Sequence, residues 1–241
     1  MSTIKSITQN KGDKAMSVEM NFDDVKALEA FIILTTNEGG TEAVDKAVFD
    51  LGDILTNSRA YELVVEQMRA EPSVAAMLQE RYVGSKHDLE ALLQYPENSF
   101  GYIYALTMKE LGLSLDYLPA VNINSDISYI EYRWRQTHDI WHVITGFDIS
   151  EAGELGLQAF YLAQFGLPFS GLVVASGLVG AILYQPEGTG LLLDAIAKGW
   201  HMGKQAKPLI AQRWEEMWEK PLLELRQELN IIGFQKRAAT V

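Results

Sequence analysis

The stretch HDIWHVITGFDISEAGE, residues 138–154, concentrates side chains with metal-binding chemistry. His138 and His142 stand four apart, Asp139 follows the first histidine, and Glu154 lies beyond Gly146. At about 100° per residue, a helix places His138, Asp139 and His142 at about 0°, 100° and 40°, within one arc. Arg135, at about 60°, shares that face one turn earlier. Two imidazoles with two carboxylates suit Zn²⁺ or a borderline ion such as Fe²⁺ or Mn²⁺, with Mg²⁺ a further candidate. They suit Ca²⁺ poorly, since it takes about six to eight oxygens. Asp139 stands where the zinc-protease helix carries its general-base glutamate and is one methylene shorter, so peptide hydrolysis is not expected. The competing assignment is a metal-free network in which a His–Asp pair and a carboxylate simply pack across a hairpin.

Two helices must hold these residues. Ser125 and Asp126 are good N-cap residues for the segment ISYIEYRWRQTHDIWHVIT, and Gly146 stands where a left-handed C-terminal residue is expected. Ser150 caps the next helix. His142 lies four residues before Gly146 and Glu154 four after Ser150, so at ~1.5 Å rise each is ~6 Å from the turn. Antiparallel helices bring them level, across the ~8–10 Å that separates packed helix axes. The next rung sets Gln158 opposite His138, with Tyr161 on the stripe of Glu154.

The rest of the chain reads as all-α: a single helical domain with the candidate metal site between two antiparallel helices and an apolar central helix. Apolar residues recur at helical spacing almost throughout, and alternating runs bounded by hairpin turns are missing. Residues 1–20 read as a flexible leader and 21–241 as one domain. Phe22, Val25, Leu28, Ala30, Ile32 and Ile33 suggest a broad apolar face on a first helix that stops at Gly39 and Gly40. Further helices are expected over about Thr41–Thr56 and Ser58–Ala70, from Pro72 onward, and from Asn98 or Ser99 to Gly112. DYLPAVNIN is a connector. From Leu155 the first charged residue met is Glu187, and FGLPFSGLVVASGLVGAILY, residues 165–184, approaches the length of a membrane span. Pro168 and four glycines favour a buried helix or the wall of an apolar tunnel over a span. The small residues equally suit a dimer contact.

Net charge −12 argues against nucleic-acid binding. Residues 198–241 nevertheless carry eight Lys or Arg against five Glu, which with Trp200, Trp214 and Trp218 would also suit a membrane surface. The bland alternatives are a solvated mixed-charge tail and tryptophans that anchor the core. Without cysteine, any metal must use nitrogen and oxygen ligands. The N-terminus shows neither the apolar core of a signal peptide nor the arginines of a transit peptide, so a cytoplasmic or organellar location is expected. His87 and His201 are isolated and read as packed or surface residues.

His-Asp-x-x-His followed by a glutamate after eleven further residues, here His138, Asp139, His142 and Glu154, resembles the signature of a ubiquinone (coenzyme Q) biosynthesis family. Its members include the mitochondrial metal-binding protein of the ring-modifying complex. WHMGKQAKPL, residues 200–209, with Trp214, Trp218 and Pro221–Leu222, extends the resemblance more weakly. It implies an all-α fold and a divalent ion, usually taken as zinc, at those four positions. It also implies peripheral association with a membrane, other quinone-biosynthesis proteins as partners, and oxidative decarboxylation at C1 of a polyprenylated ring acid; a homodimer is expected besides, on the small residues of 165–184. Arg135 would then anchor the anionic headgroup, with Gln158 and Tyr161 beside it, and the isoprenoid tail would occupy the tunnel. The alternative is a non-catalytic scaffold that presents the prenylated lipid and uses its metal structurally.

Overall fold

Residues 22–113 and 123–231 are described by the structure, a computed structural model. The leader and most of the DYLPAVNIN connector lie outside them. Among the described residues every regular element is helical. The helices are α1 Phe22–Thr36, α2 Gly40–Thr56, α3 Arg59–Met68, α4 Pro72–Glu80, α5 Leu89–Leu92 and α6 Phe100–Leu111. They continue as α7 Asp126–Thr145, α8 Glu151–Phe165, α9 Pro168–Tyr184, α10 Thr189–Gln205 and α11 Leu222–Glu228.

Local chemistry sets the boundaries that matter. The Ser125 side chain accepts from the Ser128 N–H, and the Ser128 hydroxyl reaches back to the Ser125 N–H, a reciprocal cap that starts α7. Gly146 ends α7 at φ 73°, a conformation that a side chain disfavours, and its N–H closes on the His142 carbonyl at 2.7 Å. Ser150 then caps α8 through the Gly153 N–H. Five residues therefore turn the chain between the two site helices.

α7 runs through the core. Ile130, Ile140, Trp141 and Ile144 are fully enclosed, within a cluster to which α3, α4, α6 and α11 also contribute. α8 packs on α10 and α9, while α1 and α2 pair with each other and lean on α9. Burial on this scale, at roughly 25 cal/mol per Å² of apolar surface, gives α7 a rigid seat.

Two sequence expectations need correction. The apolar face expected on α1 is split: Val25, Leu28 and Ile32 are exposed, Ala30 is buried and Ile33 half-buried, and the inward stripe runs through Ala27, Ala30 and Leu34. A helix apolar on several sides does not announce which side packs. α9 is likewise not enclosed all round. Phe169, Ser170, Ser176 and Ala181 are buried, but Ile182, Leu183 and Tyr184 at its end are about 60% exposed. No helix among the described residues is long and apolar enough to cross a membrane.

Candidate metal centre

Three of the four expected ligands converge. One donor atom from each of His138, His142 and Glu154 lies within 4.8 Å of the others. His142 Nε2 is 3.1 Å from Glu154 Oε1 and 3.2 Å from His138 Nε2, and His138 Nε2 is 3.7 Å from Glu154 Oε2. Asp139 is not in this group. At the edge of the arc it acts at a distance, its negative charge favouring protonation of both imidazoles.

Each imidazole is held by its other nitrogen. His142 Nδ1 lies 2.9 Å from the Phe147 carbonyl, which can only accept, so Nδ1 carries the hydrogen. His138 Nδ1 lies 3.0 Å from the Tyr161 hydroxyl. Tyr161 is fully buried, with its ring 4.6 Å from that of Trp141 and 5.7 Å from that of Trp134. It orients His138 from behind rather than facing the open side. This pattern, with one nitrogen anchored and the other presented, is the one that orients metal-ligating histidines.

The electrostatics follow from that crowding. Burial and the neighbouring His142 hold the His138 imidazole below its ordinary pKa. Burial opposes charge on His142 as well, but the bond and negative charge of Glu154, together with the Phe147 carbonyl and Asp139, outweigh it and raise that pKa. Burial favours a neutral Glu154, yet the two imidazoles keep its carboxyl below the usual range. The His142 Nε2 lone pair and the Glu154 carboxylate thus meet 3.1 Å apart, a contact satisfied by a proton on His142 or by a cation. The separations fit a cation: ligands at ~2.05 Å around a tetrahedral zinc stand about 3.3 Å apart.

The centre opens onto a cleft of about 620 Å³ bounded by α1, α2, α7, α8 and α9. Leu34, Val48, Phe49, Leu155, Phe169 and Val173 make its wall largely apolar, and Arg135, His138, Glu154 and Gln158 supply polar groups. Arg135 therefore does face the site, but it is engaged. Its Nη2 lies 3.2 Å from Glu131 Oε2 and 3.7 Å from Asp53 Oδ1, and the guanidinium sits over the Phe49 ring. The buried Glu131 also accepts from the Tyr61 hydroxyl. Sequence reasoning missed this network, although Glu131 stands one helical turn before Arg135 and shares its face.

Gln158 is not the residue opposite His138. It is buried and accepts from Ser170 Oγ at 2.8 Å, on α9, while Tyr161 takes the rung facing His138. Relative to Glu154 these residues project about 40° to one side and 20° to the other, so a small rotation of α8 decides which one meets α7. Gly177 and Gly180 of α9 do not hollow out a tunnel by missing bulk. A Cβ on Gly177 would lie 2.5 Å from Leu155 Cδ1, and one on Gly180 would lie 2.7 Å from the Thr35 carbonyl oxygen. They bring α9 against α8 and α1, and the open volume comes from how those helices splay. His87 is packed between Tyr104 and Trp218, whereas His201 is exposed. Trp214 and Trp218 are buried core residues, and Trp200 is 42% exposed.

Comparison with known proteins yields a consistent set. The family model described as "Coenzyme Q (ubiquinone) biosynthesis protein Coq4" matches residues 35–235. A mitochondrial ubiquinone biosynthesis protein homolog from Aedes aegypti is 28% identical over 208 residues, 83% of this chain and 75% of that protein. The Bos taurus counterpart is 30% identical over 209 residues, 83% of this chain and 77% of its own length. The crystal structure of a putative ubiquinone biosynthesis protein from Nostoc punctiforme superposes with a TM-score of 0.78 at 34% identity, covering 88% of this chain and all of that one.

Proposed function

The chain belongs to the Coq4 family of coenzyme Q (ubiquinone) biosynthesis proteins, and on that premise we propose that it removes the C1 carboxylate of a polyprenylated benzoic-acid precursor, leaving a hydroxyl, with a divalent ion held by His138, His142 and Glu154. One observation carries the reading: the three donors converge at the inner wall of an apolar cleft that also displays a guanidinium. A ring acid with a long hydrocarbon tail needs this combination of groups. When bound there, a divalent ion supplies Lewis-acid stabilisation of the carboxylate or phenolate oxygens, with zinc the foremost candidate. Replacing a carboxyl group by a hydroxyl is a two-electron oxidation, and it balances with O₂ as the electron acceptor: the ring acid, water and O₂ give the phenol, CO₂ and hydrogen peroxide.

The chain's own residues do the positioning. Arg135 pairs with the anionic headgroup, exchanging its contact with Glu131 for the substrate carboxylate. Gln158, fixed by Ser170, presents polar surface next to the ring. Leu155, Phe169 and Val173 exclude water and seat the first part of the tail. The remainder of the tail leaves past Tyr184, which lines the cleft and is itself 60% exposed. Ile182, Leu183, Leu191 and Leu193 are exposed in the same region of chain, an apolar rim suited to loading from a membrane surface. Peripheral attachment there, with a second copy of the chain or other quinone-biosynthesis proteins as neighbours, is part of the proposal.

A catalytic role is favoured over a purely structural metal by the partial exposure of the centre. The His138 and Glu154 side chains keep 24% and 37% of their surface accessible. Structural zinc sites are closed by four protein ligands, whereas catalytic ones keep a position open. The test is to assay turnover and lipid binding of the metal-loaded protein side by side. Glu154→Ala and His142→Ala should abolish CO₂ release while retaining prenylated ligand. Retained turnover, or loss of lipid binding with no turnover ever seen in the wild type, would overturn the proposal.

A further inference from the structure

We infer that Arg226, on α11 and remote from the cleft, is a positioning residue for the His142 end of the candidate metal centre. This assignment rests on the metal reading above. A helix leaves the carbonyls of its last turn without internal partners, and buried carbonyls must be satisfied elsewhere. At the end of α7 the His142 carbonyl is taken by the Gly146 N–H. The next two are taken by one side chain: Arg226 Nη2 donates to the Val143 carbonyl at 2.7 Å, and Nε donates to the Ile144 carbonyl at 2.9 Å.

The choice of residue follows from geometry. Nε and Nη2 lie on one edge of a planar guanidinium and form a fork that matches two successive carbonyls, whereas a lysine ammonium reaches them only as a point charge. Val143 and Ile144 are both buried, so the last turn cannot exchange these bonds for water without moving. α11 is itself seated in the core through Leu225, with no exposed surface, and Leu222.

The clamped segment lies between the two anchors of the His142 ring. On one side is the backbone of His142. On the other is the Phe147 carbonyl, three residues past Ile144, which accepts from Nδ1. Play in residues 143–144 becomes displacement of that carbonyl and rotation of the ring, and rotation swings Nε2 away from His138 and Glu154. Arg226 thus acts on the donor set without touching it.

The test compares Co²⁺ affinity, by competition with a chromophoric chelator well below the unfolding temperature, for wild type, Arg226→Met, Arg226→Lys and Leu225→Val. The last variant weakens the seat of α11 in the core but leaves the fork intact, so it reports what general destabilisation alone does. Loss of an outer contact to a metal site weakens binding by about tenfold or more, so Arg226→Met should lose about tenfold in affinity and Arg226→Lys less. Leu225→Val should melt at a lower temperature and bind Co²⁺ like the wild type. Unchanged affinity in both Arg226 variants, or an equal loss in Leu225→Val, overturns the assignment of Arg226 while leaving the metal reading in place. Wild-type protein that takes up no Co²⁺ overturns both.

Discussion

Arg135 offers the most quantitative test of substrate recognition, because the structure shows both what it would bind and what it already binds. A hydrogen-bonded charge contributes roughly 1.5–3 kcal/mol. Arg135 is partly neutralised by Glu131 at 3.2 Å and Asp53 at 3.7 Å, so the lower half of that range applies. About 2 kcal/mol corresponds to roughly a thirtyfold change in affinity. Arg135→Gln alone would confuse the result, since it strands the buried Glu131, and removing one partner of a buried pair costs about 3–5 kcal/mol. Burial already raises the Glu131 pKa against the opposing pull of Tyr61 and Arg135, so the stranded carboxyl would take up a proton. The Arg135→Gln/Glu131→Gln double variant avoids this and leaves an amide for Tyr61. Calorimetric titration should show a farnesylated hydroxybenzoate binding the double variant about thirtyfold more weakly, while the same molecule without its carboxylate binds as it does to wild type. Glu131→Gln alone should strengthen binding of the acid. Equal weakening for both ligands, or none for either, refutes the assigned role of Arg135.

Other consequences follow from single contacts. Tyr161→Phe removes the hydroxyl from His138 Nδ1 and should weaken metal binding by at least about tenfold with little change in melting temperature, as read by chelator competition. Gly177→Val drives a branched side chain into Leu155 and should destabilise the fold by about 1–3 kcal/mol in urea titrations, with weaker uptake of prenylated ligand. The Arg133–Glu215 pair, joined at 2.7 Å with both side chains almost fully buried, should govern acid stability. Burial favours a neutral Glu215, but the His87 imidazole 3.7 Å away and the bonds from the Arg133 guanidinium outweigh it and hold the carboxyl at about 2, against an ordinary value of 4.5. Because the folded-state value is depressed, the stabilisation is fully present above pH 4.5 and is lost as pH falls towards about 2. It amounts to about 3 kcal/mol, so Glu215→Gln should flatten the dependence of unfolding free energy on pH across that window. An unchanged slope would show that the pair does not carry it.

The helices that hold the site were legible because their signals are local. Ser125, Gly146 and Ser150 mark the ends of α7 and the start of α8 through hydrogen bonds to residues three or four away, and a helical period places His138 and His142 together. The partner of His138 was not legible, because the rotation that favours Tyr161 over Gln158 is set by the packing of α8 on α9 and α10. Asp139 fell out of the donor set for a related reason: a residue at the edge of the arc is excluded by a few degrees of rotation. The outward face of α1 was hidden by apolar residues on several of its sides. The contribution of α1 and α2 to the cleft had no sequence signal at all, since Leu34, Val48 and Phe49 meet the site only through long-range packing. Arg226 was equally silent, being one arginine among many until its fork is seen on the α7 carbonyls.

X-ray absorption at the metal edge of purified, zinc-loaded protein tests the central claim most directly. Two imidazole nitrogens and one carboxylate oxygen are expected in the inner shell, with one imidazole signal lost in His138→Ala and in His142→Ala. A shell made only of oxygens, or one unchanged by either substitution, would contradict the account.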